Sequence, residues 1–416
     1  MITLEEAQAT VLAGCAPLPA VPVALDDPAV LGRVLAGEPV VAAEAVPPFA
    51  NSAMDGYAVR AADVADAGEA SPVRLPVVAE VAAGHPVDIP LAPGEAMRIF
   101  TGAPMPAGAD AIVMVELTER IDGGSVVELR GSATEGQHVR VAGDDVTPGD
   151  VVASAGEELT PGRLGLLRSV GVETVAARPR PRVGVLSTGD ELVEGTGGTL
   201  RPGQIRDTNR PVLLGLVERA GAVPVDLGHV GDDAAAIDDA LSAAAATCDA
   251  VITTGGVSMG DTDLVKVVLD RLAGPGGMRW MQIAIRPAKP LAFGRIGAVP
   301  VFGLPGNPVS SMVSFELFAR PGLRRLAGYP DDQLVRPWLT AVASEPLRRH
   351  ADGKVHFVRV EAEADAADGR LHARRAGGQG SHQLSAMARA NALAVLPDGP
   401  GVDAGETVRL LLLSLD

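Results

Sequence analysis

Between residues 182 and 327 one pattern repeats: a short β-branched run, a polar loop rich in glycine, then a helical run. "RVGVLSTGDEL" (182–192) reads as a strand and a loop, and "DTNRPVLLGLVERAG" (207–221) as a helix ending at Gly221. "AVPVDLGHVGDD" (222–233) precedes the helical "AAAIDDALSAAAAT" (234–247), and "CDAVITTGGVSMGDTD" (248–263) precedes "LVKVVLDRLAG" (264–274). "AVPVFGLPGNPVS" (298–310) then leads into "SMVSFELFARPGL" (311–323). Strands joined through helices become parallel neighbours, so this segment predicts an α/β unit over 178–327, a mostly parallel sheet with helices on both faces. In such sheets ligands bind at the carboxyl ends of the strands.

The flanks have a different texture, so the chain is predicted to be multidomain, α/β plus β. Residues 1–45 read as helical, with Thr3 as N-cap and Glu6 closing a capping box. From 46 to 145 short β-branched runs alternate with Gly/Pro turns, and Asp122-Gly123-Gly124 between two such runs predicts a hairpin in an inserted β domain. Residues 150–176 return to a helical texture around "TPGRLGLLRSVGV" (160–172), and "ARPRPR" (177–182) marks a boundary. From 328 to 416 short strands and turns predict a small C-terminal β-barrel or sandwich.

Composition limits the partners. Aromatic residues make up 3% of a chain that is 47% hydrophobic, so its cores must be built from Val, Leu, Ala and Ile. A net charge of −17 disfavours nucleic acid and anionic membranes. A phosphorylated ligand would have to be held by backbone N–H groups, local Lys or Arg, and a bridging cation. Cys15 and Cys248 match no zinc or redox spacing. The N-terminus lacks a basic, apolar leader, and no run reaches the ~18 apolar residues of a membrane span. These features predict a cytoplasmic protein.

Three strand-to-helix junctions carry unusual loops: "STGDEL" (187–192), "TTGGVSMGDTD" (253–263) and "LPGNPVS" (304–310); "IRDTN" (205–209) adds a polar helix start. Each alone fits ordinary turn and N-cap usage. Three in order on one sheet edge predict a phosphate-binding rim, because glycine lets backbone approach a ligand and helix starts present free N–H groups. Asp190, Glu191, Asp207, Asp232, Asp233, Asp261 and Asp263 all fall at predicted loop positions of this unit. Carboxylates beside a phosphate cost roughly 1–4 kcal/mol per close pair, a conflict that Mg2+ resolves. Some of these acids cap helices instead, Asp233 among them. Lysine occurs only at 266, 289 and 354, and Arg286 and Lys289 sit in the proline-pinned "IRPAKPL" (285–291), a pattern suited to an oxyanion.

Gly256-Val257-Ser258-Met259-Gly260 also matches the nucleophile elbow of serine hydrolases. Against a Ser258 nucleophile, "GDTD" interposes a second turn before the helix, and its aspartates disfavour a developing oxyanion.

Taken together, "PPFANSAMDGYAVR", "RIFTGAPMPAGADAIVMVE", "STGDEL", "IRDTN", "TTGGVSMGDTD", "RPAKPLAFG", "LPGNPVS" and "GGQGSH" closely resemble the MoeA family of molybdopterin molybdenumtransferases, which includes the gephyrin E domain. The resemblance implies four units: residues 1–45 with 146–177, the inserted β domain 46–145, the α/β domain 178–327 and the C-terminal β domain 328–416. It implies a homodimer whose active sites lie between subunits, and contact with other proteins of molybdenum cofactor biosynthesis. The implied reaction uses molybdate and adenylylated molybdopterin, cleaves the adenylate with Mg2+, and leaves molybdenum on the dithiolene with release of AMP. By the same resemblance Asp55 and Thr101 would reach in from the β domain, with Asp145 supporting that region. Glu191, Asp232 and Asp263 would serve catalysis at the adenylate phosphate, Glu191 and Asp263 as metal ligands. Gly255, Gly256 and Ser258 would cradle the nucleotide part. Arg286, Lys289 and Ser310 would meet the oxyanion or the pterin phosphate, Pro305 and Pro308 would fix the loop, and Arg359 and Ser381 would complete the pocket. Three positions depart from the family pattern: Ala50 for Asp, Arg286 for Lys and Ala288 for Gly. They motivate an alternative, a non-catalytic molybdopterin-binding scaffold on the same fold.

Overall fold

The computed structural model describes residues 1–256 and 264–413. Its α/β unit contains a six-stranded sheet in the order Val223–Val230, Arg182–Thr188, Ala250–Thr254, Val299–Leu304, Pro290–Ile296, Met278–Gln282. The first four strands are mutually parallel; Pro290–Ile296 runs antiparallel to Val299–Leu304, and Met278–Gln282 antiparallel to Pro290–Ile296. Alternation along each strand sorts side chains to two faces. Val183, Val185, Ala250, Ile252 and Phe302 pack with Leu213 and Val217 of the helix Asn209–Arg219. Leu186, Val251 and Val301 pack with Ile237 and Leu241 of Ala234–Thr247, and with Val265 and Val268 of Leu264–Ala273. The helices therefore cover both faces, as the alternating sequence predicts.

Residues 1–45 depart from the predicted helix. Only Leu4–Ala13 is α-helical, with the expected Thr3–Glu6 capping box. Pro17, Pro19, Pro22 and Pro28 follow, and each removes a backbone donor that a helix needs. The chain instead forms the strands Val21–Ala24, Val34–Leu35 and Val40–Val41. Val21–Ala24 pairs with Thr174–Arg178, and Val40–Val41 with Val151–Ala153. The helical reading of 150–176 holds for Pro161–Ser169, between those later strands. The first helix itself places Leu4, Ala7 and Val11 in the core of the α/β unit, beside Phe315, Phe318 and Leu323.

The β insert is a six-stranded sheet in the order Ala111–Met114, Gly56–Val59, Ala96–Ile99, Val73–Val81, Val126–Leu129, Thr118–Ile121. The hairpin read at Asp122–Gly124 joins its last two strands. Near the C-terminus, Trp338–Ala343, Val355–Ala364, Leu371–Arg375, Ala392–Leu396 and Thr407–Leu412 close into a barrel, because Val355–Ala364 pairs with both Leu371–Arg375 and Ala392–Leu396. Its interior is Ala, Val and Leu, including Ala341, Val360, Ala373, Ala394 and Leu410, which fits the low aromatic content. Ile285–Arg286, from the α/β segment, pairs in parallel with Val355–His356 of this barrel. That short pairing joins the two units at the candidate site.

Candidate active site

The first cavity lies beyond the carboxyl ends of Arg182–Thr188 and Ala250–Thr254. It has a volume of about 350 Å3 and is lined by Thr188, Gly189, Glu191, Asp232, Gly255, Gly256, Leu264 and Val265. Gly255 has φ +93°, and a Cβ there would sit 3.0 Å from the carbonyl oxygen of Thr188. Only glycine meets both demands. Asn209 ties the rim together by donating from its side-chain amide to the Thr254 hydroxyl and to the carbonyl of Gly306, both at 2.7 Å. One side chain thus links the "TTGG" and "LPGN" loops.

The loop acids separate into two groups. Asp207 accepts from Ser187 at 2.6 Å and pairs with Arg210 at 3.2 Å, so it braces the rim. Asp233 caps its helix by accepting from Ala236 N–H, and Asp190 accepts from Asp232 N–H at 2.9 Å. Glu191 and Asp232 line the cavity, and their carboxylates accept no hydrogen bond among the described residues. Two unpaired carboxylates beside bare glycine backbone form a hard-oxygen donor set, which fits Mg2+. Asp263, Asp261 and Ser258 lie outside the described residues, and with them the nucleophile-elbow reading.

The second cavity, about 330 Å3, is lined by Arg286, Lys289, Pro305, Ser310 and Ser381, all named from the sequence, and by Lys354, Asn307, Gln379 and the Ile285–Pro290 backbone. Ala288 adopts φ +73° and is 3% exposed, a left-handed conformation that turns the chain sharply between Arg286 and Lys289. Neither Arg286 nor Lys289 makes an ion pair among the described residues. Ser310 is 6% exposed. The carbonyl of Ser381 accepts from Val309 N–H at 3.2 Å, which ties the "GGQGSH" loop to the helix that begins at Pro308. Pro308 itself starts that helix rather than lining the cavity. A third cavity, of about 390 Å3, shares Arg286, Pro287 and Gln379 with the second and adds Arg348, Arg349, His356 and Arg375.

The remaining predicted residues lie elsewhere. Asp55 and Thr101 meet each other, since the Thr101 backbone N–H and hydroxyl both donate to Asp55 Oδ1 at 2.8 Å. Those bonds hold the Asp55 carboxyl below its ordinary range, the backbone donor contributing most. The pair and Asp145 line none of the three cavities. Arg359 is fully buried, and burial pulls its guanidinium below its ordinary range. Its Nη2 donates to the carbonyls of Gly378 and Gly380 at 2.8 and 3.2 Å, so it shapes the loop that carries Ser381. Its Nε and Nη1 make no hydrogen bond among the described residues.

Residues 2–171 match the MoeA N-terminal region (domain I and II), 184–325 a probable molybdopterin binding domain, and 340–413 the MoeA C-terminal region (domain IV). Molybdopterin molybdenumtransferase 2 of Mycobacterium tuberculosis is 41% identical over 88% of this chain and 89% of its own length. The chain belongs to the MoeA family. The molybdopterin molybdenumtransferase of Haemophilus influenzae is 38% identical over 99% of this chain and 98% of its own. The molybdopterin biosynthesis moeA protein of Pyrococcus horikoshii superposes with a TM-score of 0.78 at 28% identity, covering 99% of this chain and 100% of that one.

Three residues that line the second cavity were given no role in the sequence reading. Asn307 stands inside the quoted "LPGNPVS", and Gln379 inside "GGQGSH". Gln379 brackets Arg359, accepting from its backbone N–H at 2.9 Å and donating to its carbonyl at 3.1 Å. Lys354 belongs to no quoted motif; its one signal is the rarity of lysine.

Proposed function

We propose that this chain inserts molybdenum from molybdate into adenylylated molybdopterin, with Mg2+-dependent cleavage of the adenylate and release of AMP. Membership of the MoeA family makes it a transferase of molybdenum cofactor biosynthesis. The observation that carries the finer reading is the pair of oppositely charged cavities, with Glu191 and Asp232 in one and Arg286 and Lys289 in the other, none of these four in an ion pair among the described residues. Mg2+ bound by Glu191 and Asp263, with Asp232 lining the same cavity as Glu191, would neutralise the adenylate phosphate against these acids. The Gly255–Gly256 backbone admits the nucleotide part. Arg286 and Lys289 offer fixed positive charge to a doubly charged tetrahedral oxyanion, and Ser310 and Ser381 offer hydroxyl donors. Arg in place of Lys at 286 keeps the charge and presents a planar fork of donors.

Asp55, Thr101 and Asp145 complete the reaction from a second subunit in this reading. Support comes from their place outside every cavity described. Further support comes from the exposed apolar residues Val41, Phe49, Val141 and Val151 in the connecting segments, at 51%, 47%, 58% and 60%. The four-unit division belongs to the same proposal, with 1–45 and 146–177 as one unit, supported by the pairing of Val21–Ala24 with Thr174–Arg178. No described helix is long and apolar enough to cross a membrane, which accords with a cytoplasmic site of action.

Purified protein given adenylylated molybdopterin, molybdate and Mg2+ should release AMP; release at background level refutes the reading. Binding of both substrates without AMP would establish the scaffold alternative. Asp55→Ala and Glu191→Gln should each be inactive. If the sites are shared, mixing them should restore about a quarter of wild-type activity, because half the randomly formed dimers carry one intact site. No recovery on mixing would place Asp55 and Glu191 in the same subunit's site.

A further inference from the structure

The oxyanion cavity contains a cation with no role in the reading above. Lys354 immediately precedes the barrel strand Val355–Ala364. Parallel pairing of Ile285 with Val355 and of Arg286 with His356, with Val355 N–H donating to Ala284 at 2.9 Å, sets Lys354 beside the Arg286–Lys289 turn. Two of the three lysines in the chain therefore line one cavity of about 330 Å3. Lys354 Nζ lies 3.2 Å from Asp352 Oδ2, with both side chains about three-quarters buried. An ammonium has three donors, and this bond uses one. Asp352 is not dependent on it: the same carboxylate pairs with Arg349 at 2.7 Å and with His356 at 3.1 Å. Burial pushes the Asp352 carboxyl up, but the hydrogen bonds from His356 and Lys354 outweigh it and hold the group at about 2, so it stays charged.

We propose that Lys354 is a third cation of the oxyanion site, held on Asp352 as a counter-ion and turned to the anion when molybdate enters. Arg286, Lys289 and Lys354 repel one another across the cavity, and Asp352 offsets that repulsion. Lysine suits the task, because its ammonium is a point charge on a flexible stem that can exchange one oxygen partner for another. The identification of the anion as molybdate rests on the proposed function.

The test is calorimetric titration of sodium molybdate into the full chain without pterin, paired with AMP release at varied molybdate. Lys354→Met should weaken molybdate binding about tenfold, and Lys354→Arg should bind within about threefold of wild type. Asp352→Asn should bind no more weakly than wild type, because it removes a competitor for Lys354. A merely structural ion pair predicts the opposite, equal losses from Lys354→Met and Asp352→Asn. Equal losses, or wild-type binding by Lys354→Met, overturn the proposal. Should Asp352→Asn not fold, the contrast between Met and Arg at 354 decides. Failure of the proposed function is distinct: wild-type protein would bind molybdate and release no AMP.

Discussion

The two principal cavities both draw on the α/β unit and are built in contrasting ways. The acid-lined cavity is assembled from loops at neighbouring ends of parallel strands, and its wall is glycine backbone with Glu191 and Asp232. The cation-lined cavity is assembled across units, with Arg286 and Lys289 from the α/β segment, Lys354 from the start of a barrel strand, and Ser381 from a barrel loop. A sheet edge supplies close backbone approach, which a cation-bridged phosphate can use. A seam between units supplies converging long side chains, which an oxyanion needs. The chemistry at each place follows from what its kind of backbone can present.

The contrast breaks most sharply by neutralising the acids. The double substitution Glu191→Gln, Asp232→Asn should lower AMP release by roughly 100–1,000-fold at any Mg2+ concentration, the range seen when one electrostatic element of an active site is removed. Its thermal unfolding should remain that of the wild type, because neither carboxylate accepts a hydrogen bond among the described residues; unchanged AMP release would contradict the assignment. Removing the opposite charges, by Arg286→Ala with Lys289→Ala, should raise the molybdate needed for half-maximal AMP release by about 10–100-fold and leave the Mg2+ requirement in place. A matching shift in the Mg2+ requirement would merge the two cavities into one site.

Backbone changes sharpen the comparison at smaller scale. Gly255→Ala forces an L-residue to φ +93° with its Cβ 3.0 Å from a carbonyl oxygen, so denaturant unfolding should show a loss of about 1–2 kcal/mol. Ala288→Gly is the reverse experiment. Ala288 already holds φ +73°, and glycine relieves about 1–2 kcal/mol of that conformation while adding about 0.5–1 kcal/mol of unfolded-state entropy. The net expected gain is up to about 1.5 kcal/mol by the same measurement; a clear loss of stability would show that the turn is unstrained.

The same contrast explains what the sequence made legible. The strand-end glycines, the capping box at Thr3 and Glu6, and the hairpin at Asp122–Gly124 are local, so a few adjacent residues carry the signal. Arg286, Lys289, Ser310 and Ser381 were legible through motif resemblance, and the structure gathers them into one cavity. Lys354 was not, because it reaches that cavity through the pairing of Ile285–Arg286 with Val355–His356, a contact between segments about 70 residues apart. The helical reading of residues 1–45 fails beyond Ala13, where five prolines follow before residue 45. Arg359 was expected to complete the pocket; its guanidinium donates to carbonyls of the loop that carries Ser381, a partnership that depends on burial and cannot be read from spacing.

The most direct test of the two-cavity account is molybdate binding, measured by calorimetry in the absence of pterin and Mg2+, for wild type and for the two double variants. The account predicts that Glu191→Gln, Asp232→Asn binds molybdate as tightly as wild type, while Arg286→Ala, Lys289→Ala binds at least about tenfold more weakly. Lost binding in the first variant, or retained binding in the second, would contradict it.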